Sequence, residues 1–518
     1  VKKSMPDLKS SASSLRSNPQ GQAGAVLLLA LLLATISAVA VWWCAAHGYT
    51  LYYGDAEAHL NIARRVLDSR TPGREQLGTV WLPLPHVLML PFVNRDGLWH
   101  SGLAGTIPAA VGFVVAGAFL FATARRLYAS AAAGLAAALL FALNPNMLYL
   151  QSIPMTEALF AAALAALLWA TVWFRESQSG WAVLAAAAAS NAASLTRYEG
   201  WFLIPFVALY LLVTARRKSY ALVFTVLAAL GPLAWLAHNQ YYYSNVLEFY
   251  NGEGSARAIE GGASHPGQHH WRAAIEYYLV SLKLAEGWPL LALGALGAAA
   301  ALAKRIFWPL LLLALPPVFY VWSIHSSSTP LFVPTLWPHT WYNTRYAMAA
   351  LPLAALAAAA LVAILPGRLH GPGAAILVLA VAGPGAFAGP PICFKESTVN
   401  SVARRAWTRE AAAYLAAHYQ PGDGLIYTFG DLTGILREAG IPLREGLHQD
   451  NRPAWDAAVI RPDLFFREEW VVAIAGDKIA QAVSRIGIRG PHYLLQKRIM
   501  VEGAPAVEIY QRQPAQLP

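Results

Sequence analysis

GAVLLLALLLATISAVAVWW, residues 24–43, runs for twenty residues without a charge, and a helix of about that length matches the hydrocarbon thickness of a bilayer. Lys2, Lys3, Lys9 and Arg16 precede it, which resembles the start of a signal peptide. The run reaches Trp43 with no convincing small-residue cleavage site, so it reads as a retained first span.

Working outward, the same signature recurs at Leu103–Ala124, Ala131–Leu150, Glu157–Phe174, Trp181–Leu195 and Trp201–Ala215. It continues at Tyr220–His238, Gly287–Ala303, Ile306–Ile324, Tyr346–Leu365 and Gly373–Pro390. The pattern predicts an all-α polytopic membrane protein with about eleven transmembrane helices. Trp181–Leu195 and Trp201–Ala215 are the shortest of these and suit tilted or partly re-entrant segments. The 518-residue chain is 57% hydrophobic and only 13% charged, whereas a soluble domain would be nearer a quarter charged.

The net charge of +10 does not point to nucleic acid, because much of it lies in small clusters between apolar runs, where topology-setting charge belongs. With the N-terminus in the cytoplasm, alternation gives cytoplasmic loops carrying Arg125/Arg126, Arg175, Arg216/Arg217/Lys218, Lys304/Arg305 and Arg368. Each is short and positive, as the positive-inside rule requires. The pieces Cys44–Gly102, Asn239–Glu286, His325–Arg345 and the tail from about Ile392 then face the extracytoplasmic side. The two cysteines, Cys44 and Cys393, read as unrelated free thiols rather than a disulfide framework.

The tail changes character. TREAAAYLAAHY and DKIAQAVSRIG read as helices, and DGLIYTF, EWVVAIAG and AVEIYQR as strands. The expected organisation is a cytoplasmic tail over residues 1–23, a multi-span domain over 24–391 with its first outer loop at 44–102, and a small extracytoplasmic α/β domain over 392–518.

Residues able to do chemistry gather on the outer face. In YYGDAEAHLNIARRVLDS (residues 52–69), Gly54–Asp55 reads as a helix start, with Asp55 and His59 one turn apart and Glu57 pointing elsewhere. Asp55 as a mere N-cap of a helix lying on the membrane surface is the competing reading. GTVWLPLPHVLMLPFV (78–93) is interrupted by Pro83, Pro85 and Pro91, which disfavour helix. It reads as an interfacial segment in which His86 is more often structural than catalytic. Thr156–Glu157 opens the fourth span, where a carboxylate suits the helix dipole, yet an acid at the membrane boundary is also a functional candidate. Arg197, Tyr198 and Glu199 share a very short outer turn, and Arg345 with Tyr346 begins the tenth span. HPGQHH (265–270) reads as a solvated loop rather than a metal site.

Boundary acids with arginines suit sugar transfer from a lipid-linked phosphate. That reaction needs a base for the acceptor proton and cations to hold the departing phosphate, for which arginine is well shaped. GDAEAH (54–59), SIPMTE (152–157), LTRYEGW (195–201) and YNTRYAMAALP (342–352) occur in an order that resembles the GT-C membrane glycosyltransferases. The nearest likeness is to the bacterial branch akin to the dolichyl-phosphate-mannose protein mannosyltransferases and the Rgt-type lipopolysaccharide glycosyltransferases. It spans about residues 24–390.

The resemblance implies inverting transfer from a polyprenyl-phosphate sugar donor to an extracytoplasmic glycan, lipid or protein at the bacterial plasma membrane, with Asp55 as base. Glu57 corresponds to a second acid of the family's pair, although Ala56 intervenes here. Arg197 and Arg345 would bind the donor phosphate; Glu157, Glu199, Tyr198 and His86 would orient the acceptor or the arginines, and His59 would assist Asp55. No cofactor is required; a divalent cation, Mg or Mn, has a place if Asp55 and Glu157 share it. The rival readings are a transporter or lipid flippase, which needs ionisable groups deep within spans, and a non-catalytic assembly subunit.

Overall fold

The computed structural model describes residues 19–259, 264–327, 329–386, 389–487 and 490–514. Lys2, Lys3, Lys9 and Arg16 of the expected cytoplasmic tail lie outside them. All eleven apolar stretches are helical over most of their length. Among the described residues, six helices have the length and hydropathy to cross a bilayer: Gly24–Ala46, Leu103–Tyr128, Glu157–Ser177, Ser219–Tyr243, Trp308–Ser326 and Thr344–Ile364. Trp271–Glu286 and Trp288–Ala303, bent by 107°, make a seventh if they are one broken span. These apolar helices mark an integral membrane protein.

Ala131–Ala142 and Glu199–Thr214 have 12 and 16 residues, which at 1.5 Å per residue gives only about 18 and 24 Å. The expected span Ala131–Leu150 is therefore two helices. It breaks at Asn144, whose Oδ1 accepts the backbone N–H groups of Asn146 and Met147 at 2.9 and 3.1 Å, with Pro145 opening the short helix Pro145–Leu150. Asparagine as cap and proline at the first position start a helix in their own right. The tenth stretch likewise divides into a 3-10 turn at Thr344–Ala350 and the α-helix Leu351–Ala359.

Small residues let the helices close on one another. A Cβ on Gly112 would come within 3.0 Å of the Leu159 backbone nitrogen, seating Leu103–Tyr128 against Glu157–Ser177. On Gly297 it would lie 2.0 Å from the Ala357 carbonyl oxygen, so only glycine permits that crossing.

The segment at 78–93 departs from expectation: Leu84–Val93 is a ten-residue helix. Pro85 occupies its first turn, where no intrahelical donor is lost, and Pro91 falls in its last turn.

In the tail, β1 (Leu425–Tyr427), β2 (Gly446–Leu447), β3 (Trp470–Ile474), β4 (Tyr493–Ile499) and β5 (Val507–Arg512) form one sheet in the order β2-β1-β3-β5-β4. β1 pairs parallel with β2 and β3, and β5 pairs antiparallel with β3 and β4. Alternation sorts its side chains. Leu425, Tyr427, Trp470 and Val472 share a core with Leu60, Ala63, Met89 and Trp99 of the first loop. Ile426, Val471 and Ala473 face Phe466 and Ile479 of the tail itself. The first loop and the tail thus bury a single apolar seam between them.

Candidate functional site

The first-loop helix runs Gly54–Leu67, and its cap position is Tyr53, not Asp55. The Glu57 N–H bonds to the Tyr53 carbonyl, which winds the first turn two residues early and puts Asp55 inside the helix. Its carboxylate makes no cap. Instead Oδ2 accepts from Arg345 Nη2 at 2.6 Å, while the side chain stays 35% exposed.

Arg345 is 8% exposed and reaches further. Its Nε donates to Glu157 Oε1 at 3.1 Å and its Nη1 to Asn343 Oδ1 at 2.9 Å. Glu157 Oε1 also accepts from Arg197 Nη1 at 2.9 Å, and Arg197 Nε donates to Glu199 Oε1 at 2.8 Å. Tyr320 accepts from Arg197 Nη2 and donates to Glu199. Asp55, Arg345, Glu157, Arg197 and Glu199 therefore form one alternating chain, three carboxylates against two guanidiniums. Such burial is tolerable because each charge has a partner of opposite sign.

The other residues singled out in the sequence lie apart from that chain. Glu57 is turned toward the tail, where Arg404 Nη1 meets its Oε2 at 2.7 Å and Arg437 Nη2 its Oε1 at 3.0 Å. His59 Nδ1 faces His86 Nε2 at 2.9 Å rather than Asp55. Burial, reinforced by the charges of Arg345 and Arg197, lowers His59 to about 3. Burial and the neighbouring His59 push His86 well below its ordinary range. Both rings are neutral at physiological pH, so one N–H donates to the other ring's lone pair. Tyr198 donates to the Val80 carbonyl at 3.0 Å and stacks on Phe249, bracing the turn from outside.

Asp55 and Arg345 open onto a cavity of about 500 Å³. Trp81 and Val80 of the first loop, Tyr243, and Phe429 and Gln449 of the tail complete its walls. Two further cations line it. Arg65 lies over the Phe429 ring at 4.1 Å and pairs with Asp450; Arg452 has a side chain 43% exposed. The tail residues Asp450 and Arg452 were not identified from sequence, although the polar run HQDNRP between two apolar segments marks a functional loop. Also missed was Glu396, just beyond the last span. Its buried carboxylate accepts from the Asn343 and Thr344 N–H groups at 2.9 and 2.8 Å and from the Tyr53 hydroxyl, fixing the turn that carries Arg345.

A divalent cation shared by Asp55 and Glu157 does not fit this arrangement. The Arg345 guanidinium bridges the two carboxylates, and an ion between them would have to displace it. The free cysteines Cys44 and Cys393 are both buried.

Residues 99–242 match the family model described as dolichyl-phosphate-mannose-protein mannosyltransferase. ArnT from Cupriavidus metallidurans bound to undecaprenyl phosphate aligns over 95% of this chain and 98% of its own, with a TM-score of 0.58 at 14% identity. The fold is ArnT-like. ArnT in the apo state aligns over 94% of this chain and 98% of its own, at a TM-score of 0.54 and 16% identity. The Archaeoglobus fulgidus oligosaccharyltransferase in the apo form covers 87% of this chain and 69% of its own, at 0.51 and 13%. No curated protein matches in sequence. The resemblance to the GT-C membrane glycosyltransferases is thus borne out by the family model and by the ArnT-like fold.

Proposed function

We propose that this chain is a membrane glycosyltransferase that moves a sugar from a polyprenyl-phosphate donor to an acceptor on the extracytoplasmic side. The observation that carries this reading is Asp55: a partly exposed carboxylate at the wall of a 500 Å³ cavity, its orientation fixed by Arg345. An oriented carboxylate open to a cavity is placed to take a proton. A guanidinium beside it offers charge to a departing phosphate.

In the proposed reaction the acceptor hydroxyl oxygen bonds to the anomeric carbon as its proton passes to Asp55. The bond from that carbon to the phosphate oxygen breaks, and its electron pair leaves with the lipid phosphate. Attack opposite the leaving group inverts the anomeric centre. Arg345 and Arg452, the cations with a face on the cavity, would receive the phosphate, with Arg65 already engaged by Asp450. Arg197 does not line the cavity; it would hold Glu157 and Glu199 behind Arg345. Trp81, Tyr243 and Phe429 would stack on the sugar. The N-terminus would be cytoplasmic and the cavity extracytoplasmic.

The deciding experiment supplies purified protein in membranes with radiolabelled polyprenyl-phosphate sugars and extracted cell-envelope acceptors. Transfer by the wild type that Asp55→Asn abolishes supports the reading. Equal transfer by both, at equal protein amount, removes Asp55 from the reaction. Protein that binds the donor yet transfers nothing to any envelope fraction favours an assembly subunit.

A further inference from the structure

A second cavity, of about 740 Å³, shares no lining residue with the one at Asp55. It lies at three interruptions of the helices: the break after Ala131–Ala142, the 107° bend between Trp271–Glu286 and Trp288–Ala303, and the far end of His370–Ala386. Its walls are mostly apolar, with Leu140, Leu148, Leu290 and Val381 among them.

One side chain contradicts that lining. Glu286, only 6% exposed, sits at the bend, and neither carboxylate oxygen has a hydrogen-bond partner among the described residues. The nearby amides do not serve it: Asn144 and Asn146 both donate to the Ala285 carbonyl instead. A buried carboxyl left without a partner is costly and calls for one. On the rim stands a cation, the exposed Lys395 of the helix Ile392–Asn400.

We propose that this cavity binds a glycerophospholipid whose headgroup carries a primary ammonium beside its phosphate. The ammonium pairs with Glu286, the phosphate with Lys395, and an acyl chain lies along Leu140, Leu148, Leu290 and Val381. Charge order selects this occupant. A choline headgroup has no N–H to give Glu286, and a glycerol headgroup has no cation for it. A small soluble zwitterion satisfies both charges but leaves the apolar walls uncovered. The helix Ile392–Asn400 also carries Glu396, which braces the turn before Arg345, so the lipid would rest on the same helix. The site does not depend on the transferase reading.

The test is native mass spectrometry of delipidated full-length protein given matched concentrations of phosphatidylethanolamine, phosphatidylcholine or phosphatidylglycerol. The ethanolamine lipid is expected to be retained about tenfold over each of the others, the scale of one charge-assisted hydrogen bond. Glu286→Gln should erase that preference while the protein keeps its unfolding temperature in lipid-free detergent. Lys395→Glu, an exposed change, should weaken the ethanolamine lipid even if Glu286→Gln does not fold. Equal retention of the three lipids by the wild type overturns the proposal. So does an ethanolamine preference that survives in folded Glu286→Gln, or retention of the ethanolamine lipid that is unchanged in Lys395→Glu.

Discussion

The carboxylate of Asp55 and the guanidinium of Arg345 meet at 2.6 Å although 290 positions separate them in the chain. Neither residue is held by its own helix. Arg345 is fixed by Asn343 and Glu157, and the turn before it is fixed by Glu396. Asp55 receives its orientation from that assembly.

Asp55→Asn keeps the shape of the side chain but cannot take a proton. Transfer measured with a polyprenyl-phosphate sugar should fall about 100-fold or more, the usual scale for a lost general base. The unfolding temperature should change little, because Asp55 is one of several partners of Arg345.

Arg345→Ala removes the cation between Asp55 and Glu157. Glu157 is 7% exposed and would keep only Arg197, so a loss of about 3–5 kcal/mol is expected for breaking a buried pair. Arg345→Lys should recover much of the stability but little of the transfer, since an ammonium cannot span both carboxylates as the planar fork does. Unfolding temperature and turnover, measured on the same samples, separate the two effects.

Arg452→Ala should leave folding intact, because its nearest acid, Asp456, stands 3.9 Å away at the surface. The expected change is a several-fold rise in KM for the lipid-phosphate donor with kcat nearly constant, the signature of lost ground-state binding. A fall in kcat alone would remove Arg452 from donor binding.

The His59–His86 pair makes stability depend on pH. Folding holds His59 at about 3, against an ordinary 6.5, so between those values the unfolded chain binds protons that the folded one refuses. Stability is full above pH 6.5 and falls as the pH drops through that window. Unfolding temperatures recorded from pH 7.5 to 5 should show this slope, and His59→Gln should make it shallower, with the share of His86 remaining.

Glu57→Ala strips Arg404 and Arg437 of their shared carboxylate, leaving two guanidiniums nearly buried against the first loop. The tail should loosen from that loop, at a cost of about 3–5 kcal/mol. Limited proteolysis near residue 400 should accelerate before the spans themselves unfold.

The positions of the helices were legible because hydropathy is a local property: twenty uncharged residues announce a crossing wherever they occur. The breaks were harder to see. Asn144–Pro145 is a helix start by its chemistry, but it sits inside an apolar run whose mean hydropathy hides it. At the site, the sequence marked Asp55, Glu157, Arg197, Glu199 and Arg345 as boundary charges, and these five are linked in space. The roles of Glu57 and His59 were not legible. Their partners lie hundreds of residues away in the tail or across a proline-bearing helix, and charges on a helix in an outer loop look the same whether they face water or a folded domain. Arg452 and Glu396 escaped for a related reason. Each lies in a segment whose periodicity speaks only of helix and turn.

The seam between the first loop and the tail has a consequence for biosynthesis. Glu57, Arg65, Asp68 and Arg70 are translated at least 347 residues ahead of their partners Arg404, Arg437, Arg444, Asp450 and Glu468. A nascent chain must therefore thread its hydrophobic helices before these charges can be neutralised, and ribosomes that stall short of residue 404 would release a product with an unfinished chamber. The segment from Arg404 to Glu468 acts as the closing stitch of the loop that carries Glu57 to Arg70.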